Sequence, residues 1–121
     1  MQYNKTKKNH SNMNTHTAQK TIRLVRDARV ASSTQKAILY TLASRVRSHR
    51  TSTRGLPIVA TSYGTLAGDC GISRSTCIVT IKQLCNAGLI LKTIHGKNHY
   101  EIITHNIKQL CNGVRMVNKT F

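Results

Sequence analysis

Two serines and two glycines leave little freedom in the stretch SYGTLAGDCGISRSTCIVTIKQLCNAGLI, residues 62–90. Ser62 and Ser73 are helix-start signals, because a serine hydroxyl there accepts from a free backbone N–H of the first turn. Gly71 and Gly88 are helix-stop signals, supplying the left-handed conformation that a side chain opposes. Gly71 stands two residues before Ser73, so the two helices must meet at a tight corner. Ala67 is small where the helices approach, Ile72 plugs the corner, and Cys77 packs back inward from the later helix. Together these features specify two helices crossing steeply about a short turn.

The flanking segments complete a small domain. Ser32-x-x-Gln35 matches a capping box, and Ile38, Leu39, Leu42 and Val46 then share one face at helical spacing. Arg45, Arg47, His49 and Arg50 cluster at the end of that helix, where they favour the helix dipole or contact phosphate. TSTRG reads as a loop and LPIVA as a short strand with Pro57 at its edge. The helix from Ser62 contains Gly64 and Gly68, each weakening it by up to about 1 kcal/mol relative to alanine. Packing must therefore hold it. The next helix spans Arg74–Ala87, after which LILKTI and HYEIIT form a hairpin around HGKN. TIRLVRDARVA, residues 21–31, fits a short helix or a strand. Residues 1–20 are Asn, Thr, Lys, His and Gln with almost no large apolar side chain, the composition of a disordered basic arm. The expected organisation is an arm over 1–20, a domain over 21–104, and an amphipathic helix and tail over 105–121. The fold class is mainly α within a small α+β frame. It is a winged helix-turn-helix: a three-helix core, a β-hairpin wing and a C-terminal helix.

Charge narrows the function. The 121 residues include 19 lysines and arginines against three acids, for a formal charge of +16. A compact fold so unbalanced repels itself, and a polyanion relieves the repulsion; nucleic acid is the foremost candidate. A membrane surface is a poorer match, since tryptophan is absent and no basic helix carries bulky aromatics. No run approaches the roughly 20 apolar residues of a membrane span, and the basic start is not followed by the apolar segment of a secretory signal. Cys70, Cys77, Cys85 and Cys111 form no CxxC pair and read as reduced thiols in a cytoplasm.

The segment from Ser62 closely resembles the winged helix-turn-helix of plasmid and phage replication proteins and, more loosely, that of bacterial transcriptional regulators. The resemblance extends back through SSTQKAILYTLASRV and forward to GKNHYEII, covering residues 32–104. It implies that the helix after Ser73 enters a major groove while the hairpin lies along the backbone or minor groove. Ser73, Ser75 and Thr76 would then offer hydroxyls and free N–H groups to phosphate. Arg74 and Lys82 would reach bases or phosphates, Arg74 suiting guanine, and Gln83 would suit adenine. Ser62 and Tyr63 would touch backbone phosphate. Lys92, His95, Lys97 and Asn98 would form the wing contacts. Apart from the resemblance, the arm and the region from Arg45 through Arg47 to Arg54 would add sequence-independent attraction. Two departures stand out. Ile78 and Val79 occupy places where related domains often carry polar residues; they either meet thymine methyls or are buried by a partner protein. Gly64 and Gly68 replace residues that are commonly larger.

IKQLCN occurs at Ile81–Asn86 and again at Ile107–Asn112. Ile107, Leu110, Cys111 and Val114 give the second copy an apolar stripe at i, i+3, i+4 and i+7. YEIITHN before it has no counterpart of GISRSTC, so it is not a second groove-reading helix. Such a helix covers the domain or pairs two subunits into a homodimer. Chance and local gene duplication explain the repeat equally well.

Other classes are weaker. No tight Cys or His pair of the kind zinc prefers is present, and His95, His99 and His105 are more simply wing groups; neither a metal nor a cofactor is expected. Asp27, Asp69 and Glu101 are far apart in sequence, whereas metal-assisted phosphoryl chemistry needs converging carboxylates. An enzyme is not expected. The competing reading is an RNA-binding or protein-interaction module within a replication complex. RNA modules usually expose aromatics for stacking, but aromatics total 4% and Tyr40 lies on a helix that is mostly core.

Overall fold

A computed structural model describes residues 19–46, 51–95 and 97–112, with the backbone alone at His95 and Lys97. Residues 1–18 of the expected arm, with Arg47, His49, Arg50 and Val114, lie outside the described residues, whereas its last two, Gln19 and Lys20, are helical and not part of a disordered arm. The fold is a small, mainly helical α+β arrangement. Helix α1 (residues 19–27) precedes α2 (Ser33–Ser44), β1 (Ile58–Ala60), α3 (Tyr63–Cys70), α4 (Arg74–Asn86), β2 (Ile90–His95), β3 (Lys97–Ile102) and α5 (Thr104–Cys111).

The punctuation works as its chemistry requires. Ser32, Ser62 and Ser73 each accept at 3.1 Å from the amide three residues on, namely Gln35, Thr65 and Thr76. Gly71 and Gly88 have φ of +68° and +77°. Past each glycine the following amide folds back five residues, Ile72 to the Ala67 carbonyl and Leu89 to the Leu84 carbonyl, both at 3.0 Å. Both ends therefore close in the Schellman manner. Asn106 of α5 reinforces the second, its Nδ2 donating to the Gly88 carbonyl at 2.8 Å. Gly64 and Gly68 are exposed, and a Cβ at either would meet nothing within 4 Å. No packing demand explains them.

Helices α2, α3 and α4 pack against one another. Ile38, Leu39 and Leu42, with Leu66, Cys77, Ile81 and Leu84, form the buried centre. Tyr40 points away from that centre and is 46% exposed, because its neighbours at 38, 39, 42 and 43 take the inward face. The scarcity of exposed aromatics inferred from its helix does not extend to this residue.

The antiparallel sheet has the order β1-β3-β2, placing Pro57, just ahead of β1, beside an edge strand as its missing N–H requires. Pairing runs from Ile90↔Ile102 to His95↔Lys97, so the strands continue into HGKN further than the sequence suggested. One face carries Val59, Ile90, Tyr100 and Ile102 into the core. Burial pushes the Tyr100 phenol above the ordinary tyrosine range. The other face holds Glu101, nearly buried and paired with Arg54 at 2.8 Å.

Residues 21–27, undecided from sequence, are helical, and Val25 and Ala28 join the core. The second IKQLCN copy lies on and beside α5. Ile107 and Leu110 are buried within this same chain, and the Cys111 thiol donates to the Leu24 carbonyl at 3.1 Å. Helix α5 thus covers its own domain, and its described apolar positions are occupied by that packing.

Candidate nucleic-acid interface

Helix α4 buries Cys77, Thr80, Ile81 and Leu84. Opposite them, Ser75, Val79, Lys82 and Asn86 recur at i, i+4, i+7 and i+11, and all four are exposed. This spacing makes one outward stripe. Arg74 is exposed beside it, and Ile78 is half-buried at its flank. Asn86 was not among the expected contacts, although its spacing from Ser75 and Lys82 could have revealed it.

Both helix starts at the corner repeat one arrangement. Ser62 donates its hydroxyl to Thr65 Oγ1 at 2.9 Å, and Ser73 donates to Thr76 Oγ1 at 2.8 Å. Each serine oxygen also accepts the cap amide, so Ser62 and Ser73 are engaged in capping. The hydroxyls left to donate outward are those of Thr65 and Thr76, both exposed. The signal for Thr65 was present as Ser-x-x-Thr at 62–65 and again at 73–76. Ser75 Oγ lies 3.2 Å from Ser73 Oγ.

Gln83 is partly engaged within the chain. Its Oε1 accepts from Gln35 Nε2 at 3.0 Å, while Gln35 Oε1 accepts from the Ala31 amide at 3.3 Å. Gln35 is 2% exposed, so this link satisfies a buried amide. A bidentate adenine contact needs the Gln83 oxygen and nitrogen together, and the bond from Gln35 takes one of the two lone pairs of that oxygen. Beside it, Ser32, Thr34, Ser75, Thr76, Val79 and Thr80 line a groove of about 350 Å³ between α2 and α4. It brings the starts of two helices to one polar wall.

The hairpin is tied to α3 through two of the expected residues. Lys92 donates to the Tyr63 hydroxyl, and its ammonium lies 5.0 Å from the Tyr63 ring centroid, a cation–π distance. Burial pushes the nearby Cys85 thiol up, with the Lys92 backbone and charge offsetting part of the rise. Asn98 is half-buried at the far end of the same sheet face, and its carbonyl accepts from the Thr61 amide at 3.1 Å. Ile94, between them on β2, is 67% exposed.

Each carboxylate is paired, including Asp69 at the end of α3 and Glu101 on β3 of the hairpin. Asp27 pairs with Arg26, Asp69 with Arg45, and Glu101 with Arg54; α4 and β2 contain none. These pairs change the expectation for Arg45, whose charge is matched by Asp69 at the end of α3. The remaining cations of the corner and hairpin, Arg74, Lys82 and Lys92, have no carboxylate partner among the described residues.

Comparison with family models, curated proteins and solved structures gives no match.

Proposed function

We propose that this chain is a winged helix-turn-helix domain that binds duplex DNA and catalyses no reaction. Its role would be plasmid or phage replication initiation and control, or transcriptional regulation. The observation that carries the reading is the outward stripe of α4: polar at its ends, with Val79 and Lys82 between them and Arg74 beside it, and free of carboxylates. A helix of this width fits a B-DNA major groove. The Thr65 and Thr76 hydroxyls stand at the two corner helix starts and would donate to phosphates on either side. Lys92, held over Tyr63, sets the hairpin beside the same surface. The formal charge of +16 supplies attraction that does not depend on sequence.

Titration of duplex DNA across a range of salt concentrations tests this. If about five to seven phosphates are neutralised, log K falls against log salt with a slope of about −4.5 to −6. Single strands and RNA hairpins, measured alongside, should bind more weakly. A near-zero slope, or no grip on duplex DNA in dilute buffer, overturns the proposal; tighter binding to RNA hairpins replaces it with the RNA reading.

A further inference from the structure

The centre of the outward stripe is a valine. Val79 is 53% exposed, between Ser75 four residues before it and Lys82 and Asn86 after it, with half-buried Ile78 at its flank. An exposed valine between polar neighbours makes no hydrogen bond and is not needed by the core, which Cys77, Thr80, Ile81 and Leu84 supply from the opposite face. Among the edges that base pairs present in the major groove, the thymine C5-methyl is the apolar feature. Facing a cytosine amino group or a guanine carbonyl, Val79 would strip water from a polar edge and return no hydrogen bond, which is unfavourable. Facing a thymine methyl, it removes two apolar surfaces from water at once.

We infer that Val79, with Ile78 beside it, makes this domain a reader of thymine methyl groups, so that its preferred duplex carries thymine opposite the middle of α4. The inference rests on the DNA-binding reading above and adds the chemical identity of the base edge. Charge complementarity favours DNA over a partner protein as the occupant of this face. Arg74 and Lys82 flank the valine, and neither α4 nor β2 carries a carboxylate. A hydroxyl-lined groove, of which Val79 forms one wall, opens beside this face on the α2 side.

The test isolates the methyl group. An alternating adenine–thymine duplex is compared with the same duplex carrying uracil in place of every thymine, so that the hydrogen-bonding edges are unchanged. The full chain should prefer the thymine duplex by about fourfold if one methyl is contacted and about fifteenfold if two are. Val79→Ala, at an exposed position where alanine favours the helix, should lower the thymine-over-uracil ratio toward one. Ile78→Ala serves as a second variant. Equal affinity for the two duplexes in the unaltered chain overturns the inference and leaves duplex binding standing. A preference that survives both substitutions also overturns it, because the methyl groups would then be read elsewhere. Failure to bind either duplex at low salt overturns both readings.

Discussion

The two IKQLCN segments have the same sequence and the same pattern of exposure. Ile81 and Ile107 are buried, as are Leu84 and Leu110; Cys85 and Cys111 are half-buried; the Lys, Gln and Asn of each are exposed. Six residues at helical spacing thus decide which side faces inward, whatever the surroundings. They do not decide what the outer side does. Before the first copy, α4 has a capped turn, so the helix runs 13 residues and carries Ser75 and Val79 into line with Lys82. Before the second there is a strand end, Ile103 makes no side-chain cap bond, and the helix is eight residues long. One copy completes a long outward stripe that carries Lys82; the other closes the core beneath α1. The difference lies in what each segment is attached to.

The strongest way to break this equivalence is through the two leucines. Leu84 and Leu110 are 0% and 4% exposed, and removing a buried leucine side chain typically destabilises by about 2–5 kcal/mol. Leu84→Ala and Leu110→Ala should each lower unfolding free energy within that range in urea titrations followed by circular dichroism. A loss below about 1 kcal/mol for Leu110→Ala would mean that α5 unfolds separately from the rest, and that the matching exposure patterns do not reflect matching stability.

The lysines sharpen the comparison from the other side. Lys82 belongs to the proposed DNA surface, while Lys108 lines a cavity of about 650 Å³ formed with α1 and the loop before β1. Lys82→Ala should weaken duplex binding by about fivefold at physiological salt and make the salt slope less negative by about 0.9. Lys108→Ala should leave both nearly unchanged. Equal losses in fluorescence-anisotropy titrations would extend the DNA-binding surface to α5.

How legible these regions are in sequence follows the range of the interactions. The caps at Ser32, Ser62 and Ser73 and the left-handed glycines at 71 and 88 depend on neighbours within five residues, and all are found where the sequence places them. The coarse class, helices with an antiparallel hairpin, follows from the same local signals. The Gln35–Gln83 bond joins residues 48 apart and the Arg54–Glu101 pair joins residues 47 apart. No local pattern announces either, which is why Gln83 read as free and Arg54 as a loop cation. Residues 21–31 were ambiguous because Ile22, Leu24, Val25 and Val30 suit neither period cleanly; packing of Val25 and Ala28 resolves them. Asn86 and Thr65 are a different case. Their spacing was visible, but its meaning depends on knowing which face of α4 and which hydroxyl of each pair point outward.

The smallest expected effect separates the two cysteines. Burial pushes both thiols above the ordinary cysteine range, but their charged neighbours have opposite signs. Lys92 pulls Cys85 back down, whereas the Asp27 carboxylate adds to the rise at Cys111 and Lys36 offsets part of it. Thiolate is the form that alkylates, so the fraction of each thiol reacting at a given pH follows these surroundings. Asp27→Asn removes a negative charge near Cys111, lowers its pKa and should speed its alkylation by iodoacetamide at mildly alkaline pH. The Cys85 rate should stay constant. Asp27 is 59% exposed and also pairs with Arg26, so solvent screening limits the gain to less than about threefold, and added salt should shrink it further. The linkage has a definite sign: a thiol held protonated by the fold stabilises it fully below the unfolded-state pKa, and that contribution is lost as pH rises through the folded value. Because Asp27→Asn lowers the folded value at Cys111 alone, toward the unfolded one, it should shrink the alkaline loss of stability that Cys111 contributes, whereas the contribution of Cys85 should not change. Equal acceleration of both thiols, resolved by mass spectrometry of the alkylated peptides, would show that the substitution loosens the whole domain and that the two copies do not differ in their electrostatic surroundings.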